Sequence, residues 1–261
     1  MSDTTDPMLQ LLGRPDGPLA GASLWSLEVV SAGPLTPRMR RVELTGEHLA
    51  ELDHQPGQDL MLRIPVDGGT VNRRYTIRRA DRARAVVTID AVAHGDGPGA
   101  RWLADAKRGS RLDAVGPRGK ILLADDVSWH LFAGDESALP AMLAMAEAVP
   151  AGSRAIVLAE VVDARDEQPL TTAATVDVRW LHRGDTEAGR SSVLVDALTE
   201  LPLPEGSGHA YLAGEAQVVT SLRKVLLNRW MPAERISAKA YWSLGRANAS
   251  HGEPAKDAGG L

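Results

Sequence analysis

The sequence predicts a β domain followed by an α/β domain: a six-stranded antiparallel barrel, then a Rossmann-like sheet. Two observations carry this. Between Ser23 and about Ala124, short β-prone runs are separated by Gly, Pro and Asp turns. Beyond that point strands alternate with helices, the pattern of βαβ units and a largely parallel sheet. The implied organisation is a tail over 1–22, a barrel over 23–124, an α/β domain over 125–246 and a second tail over 247–261.

In the first half the strand candidates come in order. Leu24–Val30 is apolar and β-prone, and Arg40–Thr45 alternates. Asp59–Pro65 follows the Pro56-Gly57 turn, then come Arg74–Ile77 and Ala85–Val92. Arg111–Val115 precedes the Gly116-Pro117 turn, and one helix is expected near Gly99–Lys107. In the second half, strand His130–Ala133 leads through Gly134-Asp135-Glu136-Ser137 into a helix over Ala138–Val149. Arg154–Val162 is nearly all apolar, as in a strand covered on both faces. Strand Val176–Leu181, helix Ser192–Thr199, strand Ala210–Ala213, helix Ala216–Trp230 and strand Ile236–Trp242 follow. Trp230, Met142 and Met145 fall at helical spacings suited to core packing.

Composition narrows the function. The 261 residues are 44% hydrophobic and 24% charged, with no cysteine. Thiol nucleophiles, disulfides and cysteine-held metal clusters are excluded. Redox chemistry must come from a bound organic cofactor or an N/O-ligated metal. The seven histidines show no metal-ligand spacing, and His182 and His209 read as surface or core histidines. No run approaches a membrane span, and the acidic, Pro/Gly-rich start does not read as a secretory signal, so a cytoplasmic location is the default expectation. The net charge of −5 argues against a general nucleic-acid binder. It is unevenly split: residues 1–124 hold 17 basic and 15 acidic residues (+2), residues 125–261 hold 12 and 19 (−7). The more basic half suits an anionic ligand, and compositional scatter suits it equally.

Arg74-Tyr75-Thr76 is the sharpest local signal. A guanidinium grips a pyrophosphate, an aromatic ring packs on an isoalloxazine, and a hydroxyl bonds its edge. On a strand Arg74 and Thr76 share one face and Tyr75 takes the other. The six arginines between Asn72 and Arg84 also fit a solvated basic edge and, far less well, a nucleic-acid patch. His94-Gly95-Asp96-Gly97-Pro98-Gly99-Ala100-Arg101-Trp102 reads as a Gly-rich turn into a helix start, either an anion site or a bend. Asp135 and Glu136 could cap the helix after them. Arg183 could meet the 2′-phosphate of NADPH or lie solvated.

Six stations in order make the chain resemble the siderophore-interacting protein family of flavin-dependent ferric-chelate reductases, in the ferredoxin-reductase superfamily. They are Arg74-Tyr75-Thr76, His94-Gly95 with the Gly-Pro turn and Trp102, Gly116-Pro117-Arg118-Gly119, Gly134 to Ala141, Ala213-Gly214-Glu215-Ala216, and Tyr241-Trp242. The resemblance implies a flavin-binding barrel and an NAD(P)H-binding α/β domain. It implies FAD held by Arg74, Tyr75 and Thr76 with Ile77 and Asp90, contacts from His94 and Gly95, and a pyrophosphate cradle from Gly97, Gly99, Ala100 and Trp102. It places Asp135, Glu136, Ser137, Ala138, Gly214, Glu215 and Ala216 at the reductase-domain site, with Tyr241 and Trp242 approaching the flavin. The substrate would be a ferric siderophore, with Arg118 and Arg246 supplying positive charge and no protein-bound metal. The donor would be NAD(P)H or a ferredoxin, and the protein a monomer or weak dimer. A flavoprotein with a different, biosynthetic acceptor and a binding protein that has lost FAD are the other readings. Two departures stand out: Gly97-Pro98-Gly99-Ala100 lacks the family's hydroxyl residue, and Met61 stands where several relatives carry a cation.

Overall fold

The computed structural model describes residues 21–93, 95 and 97–245. His94 and Arg246 therefore lie outside the described residues, as do both expected tails apart from Gly21 and Ala22. The chain parts into two compact units between Leu122 and Leu123.

The first unit is one antiparallel sheet. Its strands are β1 (Ser23–Pro34), β2 (Met39–Thr45), β3 (Asp59–Val66), β4 (Gly69–Thr76), β5 (Arg79–Asp81), β6 (Val86–Val92) and β7 (Arg111–Arg118), with helix α1 (Pro98–Asp105) between the last two. Their order is β4-β3-β7-β1-β2-β6-β5. The sheet holds one strand more than the six expected. The addition, β5, has three residues and lies among arginines, too short to show a period of two. The sheet curls around Val29, Val42, Leu44, Leu60, Leu62, Ile64 and Ile89. Between the two edge strands the chain crosses from one side to the other. The Ile77 amide donates to the Gln58 carbonyl, and the Arg78 amide donates to the Thr88 carbonyl, each at 2.9 Å. Both residues are buried, Ile77 among the core side chains.

The second unit is a parallel sheet with helices. Strands β8 (Trp129–Gly134), β9 (Arg154–Val161), β10 (Thr175–His182), β11 (Gly208–Glu215) and β12 (Ile236–Trp242) alternate with α2 (Leu139–Glu147), α3 (Val193–Glu200) and α4 (Ala216–Asn228), with only a 3-10 turn at Ala164–Asp166 between β9 and β10. The order β10-β9-β8-β11-β12 is doubly wound. It reverses between β8 and β11, and ligands of such sheets bind outside the strand ends at that point. Every residue of β9 after Arg154 is buried, as its apolar run requires. Leu139 through Ala146 of α2 are also all buried. Beside the apolar face made by Trp129, Leu131, Ala210 and Leu212, alternate residues of β8 and β11 stack aromatic rings. Tyr211 lies 4.7 Å from His209 and 5.0 Å from Phe132 between ring centroids, with His130 also buried in the stack.

One packing expectation is overturned. Trp230 is 93% exposed, while Met142 and Met145 are buried as expected. Helix α4 ends at Asn228, and Trp230 turns to φ 64, out of helical phase, so its spacing no longer aims it at the core.

Candidate functional site

In the first unit the site is built on β3, β4, β7 and α1. Register pairs Met61 with Arg74 and Asp59 with both Thr76 and Arg118. Arg74 Nε donates to both oxygens of buried Asp59, at 3.2 and 3.0 Å, and Nη2 pairs with Oδ2. Arg118 donates to the Met61 sulfur at 2.9 Å. Burial lowers the Arg118 pKa, the Arg74 charge lowers it further, and Asp59 offsets this in part. Two guanidiniums thus lie close to one carboxylate, Arg74 bonded to it and Arg118 within its field, which makes this edge of the sheet a cationic place for an anion.

Tyr75 points the other way and packs against α1. Its ring lies 6.5 Å from that of Trp102. A Cβ on Gly99 would sit 2.6 Å from the Tyr75 hydroxyl oxygen. Burial pushes the Tyr75 hydroxyl up to about 12, eased by Arg73, so it stays protonated. Helix α1 starts at Pro98, with Gly97 as a cap that offers no side-chain acceptor to the first-turn amides. This fits an anion such as a pyrophosphate: open backbone donors, a residue 99 that needs no Cβ, and cationic side chains on neighbouring strands. Two of the expected flavin residues are placed otherwise. Ile77 is a core side chain, and buried Asp90 accepts from Arg41 Nε and Nη2, each at 2.7 Å. Asp59 was missed. Its sequence signal was a carboxylate opening an otherwise apolar strand.

In the second unit, the ends of β8, β11 and β12 meet on the Asp135 carboxylate. Oδ1 accepts from the Ser137 amide at 2.9 Å and from its hydroxyl at 2.5 Å. Oδ2 accepts from the Glu215 amide and the Trp242 indole, each at 2.9 Å. Burial raises the Asp135 pKa, and these bonds oppose the rise. Gly214 makes the approach possible: it has φ +136, and a Cβ there would lie 2.5 Å from Asp135 Oδ2. Glu215 caps α4 through Oε2, accepting from Gln217 and Val218 amides at 2.6 and 3.0 Å. Its Oε1 accepts from the Leu244 amide at 3.1 Å.

Neither Asp135 nor Glu136 caps α2, as the sequence had suggested. The cap residue is Ala138, bonded by its amide to the Asp135 carbonyl. Glu136 instead pairs with Arg183, Oε1 to Nη2 at 2.5 Å, and Arg183 Nη1 lies 3.6 Å from Glu160 Oε1. Arg183 is therefore not a solvated arginine: it and both glutamates are buried. Burial pushes Glu160 up to about 7, with Arg183 pulling it back and Asp135 and Glu136 adding to it. Glu160 was also missed, although a lone carboxylate inside Ala155–Val161 marks it. Tyr241 sits on β12 with Lys239 Nζ 5.4 Å from its ring centre. Among the described residues no cluster of histidines and acids could hold a metal ion.

Comparison with known proteins identifies the family. Residues 59–121 match the model of the siderophore-interacting FAD-binding domain, and residues 127–245 that of the siderophore-interacting protein. The ferric vibriobactin reductase ViuB of Vibrio cholerae is 32% identical, over 87% of this chain and 92% of its own. The chain belongs to the siderophore-interacting protein family. A siderophore utilization protein from T. fusca superposes with a TM-score of 0.82 at 31% identity, covering 89% of this chain and 97% of that one. The NADPH-dependent ferric-chelate reductase of Escherichia coli is 28% identical over 62% of this chain and 63% of its own. Members of the siderophore-interacting family combine the two units seen here, and the chain is a siderophore-related flavin reductase.

Proposed function

We propose that this protein is a cytoplasmic FAD-dependent reductase that takes electrons from a nicotinamide nucleotide and delivers them to a ferric siderophore, releasing Fe(II). One observation supports the reading most. Arg74 and Arg118 flank a single buried carboxylate beside an uncapped helix start, inside the segment that matches an FAD-binding domain. Bound there, FAD supplies the conversion of two-electron into one-electron chemistry that no side chain of this cysteine-free chain offers.

Arg74 and Arg118 would draw and orient the anionic part of the cofactor, with the Gly97, Gly99 and Ala100 amides as further donors. Tyr75 and Trp102 would wall it, and Thr76 would offer a hydroxyl. In the second unit Asp135 holds together the strand ends where a nicotinamide nucleotide would lie, bordered by Ser137, Ala138, Gly214 and Ala216. The balance is simple. One nicotinamide gives up two electrons and releases a proton, and two ferric chelates take one electron each. Reduction releases iron because hard oxygen ligands hold Fe(III) far better than Fe(II). A reduced-nicotinamide supply is the reason for the cytoplasmic assignment, and no described helix is long and apolar enough to cross a membrane. The names of the Vibrio cholerae and Escherichia coli relatives favour the same acceptor and donor classes.

The test is an absorbance spectrum of the purified protein before and after FAD addition. Anaerobic NADH or NADPH follows, then a ferric siderophore with a colorimetric Fe(II) trap. Flavin bands that bleach with nucleotide and return with the ferric chelate are expected. Bands that bleach only with reduced ferredoxin would replace the donor, and no bands after reconstitution would overturn the assignment.

A further inference from the structure

The nucleotide site in the second unit carries an unusual distribution of charge. In dinucleotide-binding sheets the end of the second strand reads the adenosine ribose: an acid there bonds the 2′-hydroxyl of NAD, and an arginine nearby takes the 2′-phosphate of NADP. Here the second strand, β9, ends in Glu160-Val161, and the neighbouring strand β10 runs directly into Arg183. Both candidate readers are thus present, and the structure shows how they are used.

Arg183 is 9% exposed. Its Nη2 is on Glu136 at 2.5 Å, and Nη1 faces Glu160 at 3.6 Å. The Nε and Nη1 atoms have no hydrogen-bond acceptor, yet both are sealed from solvent. A phosphate could reach them only by expelling the two glutamates. Asp135, also buried, adds a third carboxylate to the same cluster. One guanidinium therefore stands among three acids, paired directly with Glu136 and facing Glu160, so its charge is already engaged.

We propose that this site selects NADH over NADPH, with Glu136 and Glu160 as the specificity-determining residues that neutralise Arg183 and repel a 2′-phosphate. The inference rests on the nicotinamide-dependent reading above. With its charge paired to Glu136 and facing Glu160, Arg183 has nothing to offer the extra phosphate, while the parts shared by the two nucleotides do not depend on it. A ribose 2′-hydroxyl carries no charge and suffers no such penalty.

Two measurements on the FAD-loaded protein test this. Calorimetric titrations compare NAD⁺ with NADP⁺, and 5′-ADP with 2′,5′-ADP, so that binding is read without turnover. Steady-state flavin reduction compares kcat/KM for NADH and NADPH. The expected result is at least a tenfold preference for the nucleotides lacking the 2′-phosphate in both. The double variant Glu136→Gln with Glu160→Gln is expected to raise the NADPH-to-NADH efficiency ratio at least tenfold. Equal or tighter binding of NADP⁺ by the parent protein overturns the inference and leaves the nicotinamide reading standing. An unchanged NADPH-to-NADH ratio in a folded double variant overturns the role of the glutamates. Failure of both nucleotides to bind or to bleach the flavin sinks the donor reading, and this inference with it.

Discussion

The hydroxyl oxygen of Tyr75 stands 2.6 Å from where a Cβ on Gly99 would be. The ring of Tyr75 on β4 and the first turn of α1 are therefore fitted to one another through a missing side chain. The relationship also accounts for the Gly-Pro-Gly-Ala turn: a larger residue at position 99 would displace the tyrosine.

Gly99→Ala is expected to push the Tyr75 ring away and disturb the helix start. Overpacking of this kind costs about 1–3 kcal/mol, or roughly ten- to hundredfold in FAD affinity if the strain falls on the site. Gly97→Ala is the control, because nothing lies within 4 Å of a Cβ there. Flavin titration of both apoproteins decides it: equal affinities would remove Gly99 and Tyr75 from the site.

Arg74→Ala removes the cation that straddles Asp59 and the proposed anion. A charge-assisted hydrogen bond contributes about 1.5–3 kcal/mol, so FAD retention should fall at least roughly tenfold. Retention of stoichiometric flavin through purification would show that Arg74 serves Asp59 alone.

Asp135→Ala leaves four donors, from Ser137, Glu215 and Trp242, without their acceptor. Buried unsatisfied donors cost about 1–3 kcal/mol each, partly relieved by relaxation and water, so a loss of about 2–5 kcal/mol is expected. Urea unfolding followed by tryptophan fluorescence would measure it. A loss below ~1 kcal/mol would mean that the strand ends are held by other contacts.

Two buried groups give opposing pH slopes. Burial pushes Glu160 up to about 7 in the folded chain, against 4.5 ordinarily. The folded chain keeps its proton longer, so this contribution is full below pH 4.5 and is lost as pH rises to 7. Burial, and then the neighbouring His209, push His130 down to about 4, against 6.5 ordinarily. The unfolded chain takes that proton first, so stability falls as pH drops from 6.5 towards 4. Thermal unfolding of Glu160→Gln should therefore show a higher Tm than the parent at about pH 8, the gain shrinking towards about pH 5. His130→Phe should flatten the acid limb. A Glu160→Gln curve parallel to the parent would show that Glu160 is ionised throughout.

The sequence carried the fold well because its periods are local. The near-continuous apolar run of β9 and the turn residues between barrel strands survive without tertiary context. The site was legible where one segment carries it, as in Arg74-Tyr75-Thr76 or the turn after Gly134. It was not legible where partners are distant. Asp59 lies 15 residues from Arg74, and Asp135 is 107 residues from Trp242. Only the sheet brings them together. Glu160 was hidden for a different reason, since an apolar run draws attention to its packing rather than to its one charge. Trp230 shows the limit of helical spacing, which holds only while the backbone stays helical.

The crossing at Ile77 and Arg78 has a consequence for how the chain can be cut and rejoined. The two edge strands of the seven-stranded sheet are neighbours in sequence, separated by these two buried residues. They serve as a clasp on an otherwise open ribbon. An insertion or new terminus at 77–78 would let the ribbon uncurl although every strand ladder remained intact, whereas the Asp67-Gly68 hairpin, exposed between β3 and β4, would absorb the same interruption. A damaging cut in this unit can therefore sever no strand at all.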